Sequence, residues 1–174
     1  MKKRKGYMLI ILMMAVFVLS IGLLVAVPVW ETQIQREKEE ELIFRGKQFV
    51  EAVRLYQLKN PGTFPKSFDE LIEERCLRKL FKDPMSEQGE WNVILPSLGV
   101  ARAKKGSPQK VLVVPYGAFP SIENPQIIGV VSSSTKKSIK IYHGQENYDT
   151  WLFYYGQDPE KMPEIVYYGE EEKD

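Results

Sequence analysis

His143 is the only histidine in the chain, so any Ser-His-Asp relay would have to be built on it. The candidate nucleophiles, Ser132, Ser133 and Ser134, do not stand in a G-x-S-x-G elbow. Beside Gly144, His143 reads as a turn or surface histidine instead. Cys76 is the only cysteine, so no internal disulfide can form. Set in a helix-like stretch between Arg75 and Leu77, it reads as a small buried hydrophobe more than as a reactive thiol. Gln145, Glu146, Asn147 and Asp149 carry oxygens of the kind calcium takes, but in no EF-hand spacing, and turns are rich in the same residues. There is no G-x-x-x-x-G-K-[ST], because Lys104-Lys-Gly-Ser-Pro108 has the wrong order, and no C-x-x-C. These residues predict no catalytic site, no metal site and no cofactor. The chain reads as something other than an enzyme.

Charge gives no drive toward nucleic acid. The 174 residues hold 24 Lys and Arg against 23 Asp and Glu. Four of the basic residues, Lys2, Lys3, Arg4 and Lys5, stand together at the N-terminus, and without them 20 basic face 23 acidic side chains. The other basic cluster, Arg102, Lys104, Lys105 and Lys110, has no interleaved aromatic on which bases could stack. It reads as a solvated loop, and no nucleic-acid partner is expected.

The most informative stretch is the element in front of all of these. After the basic leader and Tyr7 comes an apolar run, Met8–Val27, relieved only by Ser20 and Gly22 and closed by Pro28 and Trp30. It holds 13 Leu, Ile, Val or Phe residues. At roughly −0.3 to −0.6 kcal/mol each, they favour membrane insertion by several kcal/mol. The run is long enough for a helix to cross about 30 Å of hydrocarbon. The positive-inside bias keeps Lys2–Lys5 cytoplasmic and places the chain after Val27 across the membrane. A secretory signal peptide needs a shorter core and an A-x-A-like site, and Leu24-Val-Ala-Val27 offers neither. A plain signal anchor stays open.

A basic leader ending in Gly6, an aromatic Tyr7 and a long apolar helix with Pro28 resemble type IV pilin-like proteins. Phe64-Pro-Lys-Ser-Phe-Asp-Glu-Leu71 and Lys82-Asp-Pro84 are similar to the post-helix segment of type II secretion pseudopilins. The resemblance extends more loosely over Ile127–Ser134, Lys137–Ile139 and Tyr148–Trp151. It implies that a prepilin peptidase cuts between Gly6 and Tyr7 and methylates the new amine of Tyr7. It further implies a subunit held in the inner (cytoplasmic) membrane by a single pass, with a periplasmic head. The partners implied are other pseudopilin or pilin subunits, membrane lipid, and an inner-membrane assembly platform with a cytoplasmic ATPase. Pro28 falls where the family carries a proline, twenty-two residues into the mature chain. Ile11 departs from the pattern, which has glutamate five residues after the cut. A buried carboxylate there costs about 2.5–3.5 kcal/mol to insert and is kept for pairing with a neighbour's N-terminal amine. Ile11 removes both, which suits a minor or tip subunit; a divergent major subunit remains open.

The fold class expected is α+β. The sequence divides into a leader (1–6), a transmembrane or filament-core helix (7–29), its amphipathic continuation (30–60), a periplasmic head (61–169) and an acidic tail (170–174). In the continuation, Arg36–Glu41 reads as solvated mixed charge. Leu42, Phe49, Val53 and Tyr56, with Ile43 and Val50 beside them, form an apolar stripe at helical spacing. Asn60-Pro61-Gly62 stops the helix. Ser67 and Glu70 make a capping box that opens a second helix through about Lys79. Short β-like runs follow at Trp91–Leu95, Val111–Pro115, Gln126–Ser132, Ser138–Tyr142, Trp151–Tyr155 and Ile165–Tyr168. They predict a small, mostly antiparallel sheet packed on the helix stripe. Val111–Val114 should be covered on both faces and Ser138–Tyr142 on one.

Overall fold

The computed structural model describes residues 5–96, 110–158 and 161–169. The chain divides into two compact units, Met1–Glu37 and Lys38–Asp174. The N-terminal leader before Lys5, the basic loop Ala101–Pro108 and the tail 170–174 lie outside the described residues.

The first unit is helical from Lys5 onward, as the N-terminal part of α1 (Lys5–Lys59). Pro28 sits inside the helix without ending it. Proline has no N–H, so the carbonyl one turn earlier loses its helical donor. Hydroxyls compete for backbone acceptors nearby. Thr32 Oγ1 donates to the Pro28 carbonyl at 2.9 Å, and Ser20 Oγ to the Val16 carbonyl at 2.8 Å.

The second unit begins with the rest of α1. Leu42, Phe49, Val53 and Tyr56 are buried, Ala52 joins them, and Ile43 and Val50 pack at the margin, as the spacing predicts. The short helix α2 (Phe68–Glu73) starts where expected, with the Glu70 N–H donating to Ser67 Oγ at 3.2 Å. It stops about two turns short of the expected end. Arg75 adopts a left-handed conformation (φ 55°), Arg75 N–H bonds the Ile72 carbonyl, and Cys76 N–H bonds the Leu71 carbonyl. This double closure is a Schellman cap, which a residue other than glycine can supply at some conformational cost. Cys76 therefore lies after the helix and not within it. It is half-buried beside the core.

Seven strands follow among the described residues: β1 (Trp91–Pro96), β2 (Lys110–Val114), β3 (Gly129–Ser132), β4 (Lys137–Tyr142), β5 (Gln145–Asn147), β6 (Phe153–Tyr154) and β7 (Glu164–Tyr167). Five form one sheet in the order β6-β3-β1-β2-β7. All its pairings are antiparallel except β2 with β7. Strand parity sorts the side chains into two layers. Trp91, Val93, Leu95, Val114, Val130 and Phe153 face the stripe of α1 together with Phe68 and Leu71 of α2. Ile94, Val111, Val113, Val131 and Tyr154 form a second cluster on the other face. So β2 is covered on both faces, as its unbroken apolar run requires. β4 alternates exposed and half-buried as expected, but it is not in this sheet. Among the described residues it pairs only with β5, as a separate two-stranded hairpin. The runs Gln126–Ser132 and Trp151–Tyr155 shorten to Gly129–Ser132 and Phe153–Tyr154, although Ile127, Ile128, Trp151 and Leu152 remain buried beside them.

Two glycines let backbone approach this core. A Cβ on Gly46 of α1 would run into the ring of Phe153, and one on Gly129 of β3 would run into the Phe153 carbonyl oxygen. Neither position has room for another residue.

Candidate functional site

Gly6, Tyr7, Ile11 and Pro28 all lie on α1 in the first unit, spaced along the helix instead of gathered in a cavity. Side chains from Tyr7 to Leu23 and from Val27 to Ile34 are exposed throughout. The most apolar 18-residue window has a mean hydropathy of 3.0, with none of it buried in the protein. An apolar helix surface of this extent needs a non-aqueous neighbour, and its length suits a bilayer. Gly6 is helical, and a Cβ there would find no tertiary neighbour within 4 Å among the described residues. Ile11 is exposed in the same way and presents no carboxylate to a neighbour.

The head residues with chemical potential are tied into structure. Ser132 Oγ donates to Asp83 Oδ2 at 2.7 Å, and the same carboxylate oxygen accepts the Ser133 N–H at 3.3 Å. Asp83 Oδ1 accepts the Met85 N–H at 2.8 Å. The buried Asp83 thus satisfies the serine run and the loop before β1, as a buried carboxylate must be satisfied. His143 (φ 47°) and Gly144 (φ 77°) form the two-residue turn between β4 and β5, where both positions need positive φ. In the oxygen-rich run, Glu146 pairs with Lys137 at 2.7 Å, and the Gln145 carbonyl accepts the Trp151 indole N–H at 3.1 Å. Asp149 Oδ1 is buried without a donor among the described residues, and burial pushes its carboxyl up. Among the described residues no three His, Cys, Asp or Glu converge as a metal site. Burial likewise pushes the Cys76 thiol up, away from thiolate chemistry.

One residue departs sharply from the solvated stretch expected at Arg36–Glu41. Glu39 is 0% exposed. Its Oε1 accepts the Ile139 N–H at 2.6 Å and the Tyr148 hydroxyl at 2.7 Å, and its Oε2 accepts the Lys140 N–H at 3.1 Å. Next to it, Glu40 pairs with Lys140 Nζ at 2.7 Å on the exposed side. The carboxylate of Glu39 therefore fastens the β4–β5 hairpin to α1. A signal for it was present: Glu39, Leu42, Gly46, Phe49, Val53 and Tyr56 alternate in steps of three and four, which places Glu39 on the buried stripe.

A second carboxylate fastens the far end of α1. Glu70 accepts the Tyr56 hydroxyl at 2.5 Å and the Lys66 N–H at 2.6 Å. Burial pushes the Glu70 carboxyl up, but the Tyr56 hydroxyl, the Lys66 N–H and ammonium charge and the Ser67 N–H together outweigh it and hold the group below its ordinary value. The same hydrogen bond, with burial, pushes the Tyr56 phenol up to about 12. The linkage has opposite signs at the two ends of the pH scale. Glu70 contributes stability above its ordinary value of 4.5 that is lost as pH falls through the depressed folded value. Tyr56 contributes stability below its ordinary value of 10.0 that is lost as pH rises toward about 12. Tyr56→Phe is expected to cost about 1.5 kcal/mol at neutral pH and to flatten both limbs. Urea titrations of parent and variant across pH would read this; parallel curves would disprove it.

Comparison with protein-family models, with curated proteins and with solved structures returned no match. The architecture stands on its own geometry. An exposed apolar helix, long enough to cross a membrane, continues as α1 into a unit where that helix packs on a small, mostly antiparallel sheet. This is a pilin-like α+β architecture.

Proposed function

We propose that the protein is a structural pseudopilin-like subunit of a type II secretion or type IV pilus-type filament. The carrying observation is the single helix that is exposed and apolar at one end and packed by its stripe on a sheet at the other. The precursor is anchored in the inner membrane by this helix, with Lys2–Lys5 cytoplasmic and the head outside. A prepilin peptidase removes the leader at Gly6 and methylates Tyr7. The apolar helix then leaves lipid and packs among related helices, a transfer between similarly apolar surroundings in which side-chain packing decides. Assembly needs a membrane platform and a cytoplasmic ATPase. The protein performs no catalysis of its own. The lack of a carboxylate at Ile11 favours a subunit with no neighbour's amine to receive.

Intact mass and N-terminal analysis of the protein from its native membrane, beside a Gly6→Leu variant, tests this reading. The expected result is a chain beginning at methylated Tyr7 and a variant left uncut. Full-length chains retaining Lys2–Lys5 in both samples would instead indicate an uncleaved single-pass anchor whose head binds a periplasmic partner.

A further inference from the structure

We infer that Trp30 and Tyr7 are the interfacial anchors of α1, with Trp30 held in the headgroup–carbonyl layer on the far side of the bilayer. This rests on the membrane reading above and fixes the depth at which the helix sits. The two rings are the aromatic residues at the limits of the apolar run, 68% and 74% exposed for Tyr7 and Trp30. No hydrogen bond or ring contact holds Trp30 among the described residues. The other two tryptophans are spoken for: Trp91 donates its indole N–H to the Phe81 carbonyl and Trp151 to the Gln145 carbonyl, and both are buried in the second unit.

Spacing and chemistry agree on the occupant. Trp30 stands twenty-three positions after Tyr7. That is a rise of about 35 Å, or about 32 Å along the membrane normal at a ~20° tilt. The hydrocarbon core is about 30 Å thick, so the two rings fall just outside it on opposite sides. Indole and phenol each join an apolar body to a polar tip, and that layer is apolar on one side and wet on the other. The sequence changes character at the same point: Val27 and Val29 are exposed and apolar, while Glu31 immediately after Trp30 is charged. The partner is therefore a lipid interface. A protein groove would have no reason to match the bilayer's thickness.

The test uses the full chain in phosphatidylcholine vesicles containing lipids brominated near either the carbonyl end or the methyl end of the acyl chain. Trp91 and Trp151, buried in the second unit, supply a constant unquenched background. The expected result is strongest quenching by the carbonyl-end bromines, with loss of all depth-dependent quenching in Trp30→Phe. Strongest quenching by the methyl-end bromines would overturn the assignment, by placing Trp30 in the core. Insertion is read separately, from a Phe17→Cys probe in a Cys76→Ser chain exposed to an impermeant maleimide. A thiol protected at position 17 with no Trp30 quenching would overturn the anchor while leaving the span intact. A thiol labelled at that position with no quenching would remove the membrane reading itself.

Discussion

Gly46→Ala is expected to destabilise the second unit by about 2 kcal/mol, although alanine is the better helix former by about 1 kcal/mol. The added Cβ would sit 2.5 and 2.6 Å from Cδ2 and Cδ1 of Phe153, and against Cγ of the same ring. Carbon atoms in contact prefer about 3.5–4.0 Å, so the ring would have to retreat by roughly 1 Å. It has nowhere free to go. Trp91 packs edge-on at 6.3 Å between centroids, and Tyr142 packs at 5.3 Å. Overpacking a close-packed core costs about 1–3 kcal/mol and occasionally more. Overlap at three ring atoms belongs at the upper end, which outweighs the gain in helix propensity. Urea unfolding of the full chain in detergent, for Gly46→Ala, Phe153→Leu and the pair, measures this directly. The pair should lose less than the sum of the two singles, by about 1 kcal/mol, because the smaller side chain vacates the space. A Gly46→Ala protein as stable as its parent would refute the close approach.

Glu39→Ala should be costlier, about 3 kcal/mol, because each unsatisfied buried donor costs about 1–3 kcal/mol. It orphans the N–H groups of Ile139 and Lys140 and the hydroxyl of the buried Tyr148. The two backbone donors can recover water if the hairpin lifts, so the sum is not reached. That escape predicts where the damage appears. In hydrogen exchange the amides of Ile139 and Lys140 should lose protection beyond the global fall in stability, while β1 and β3 follow the global value. Glu39→Gln keeps an acceptor and should lose about half as much. Glu40→Ala, which removes only the exposed pair with Lys140, should leave both amides nearly unchanged. Unaltered protection at Ile139 and Lys140 in Glu39→Ala would sink the fastening role.

The residues that could be read in advance are those whose signal is local. An uninterrupted apolar run needs only counting, and the exposed apolar end of α1 follows from it. The stripe Leu42, Phe49, Val53 and Tyr56 follows from helical periodicity, the start of α2 from Ser67 and Glu70, and the two-sided burial of β2 from Val111–Val114. Local signals weaken where a neighbour far along the chain chooses the outcome. The end of α2 depends on Arg75 accepting a left-handed conformation, which its residue type does not announce. The parallel pairing of β7 with β2 and the exclusion of β4 from the main sheet depend on which edges remain free after the other strands have paired. What Ser132 and Ser133 bond was not legible locally, because Asp83, which accepts from both, lies 49 residues from Ser132. Glu39 looked solvated because its three donors lie 100, 101 and 109 residues away. Sequence alone determined which faces must be hidden and which segment has to leave water, because burial of apolar surface is written residue by residue. The tertiary structure decided which buried polar groups are satisfied and by whom, because a hydrogen bond is a property of two partners and the sequence shows only one at a time.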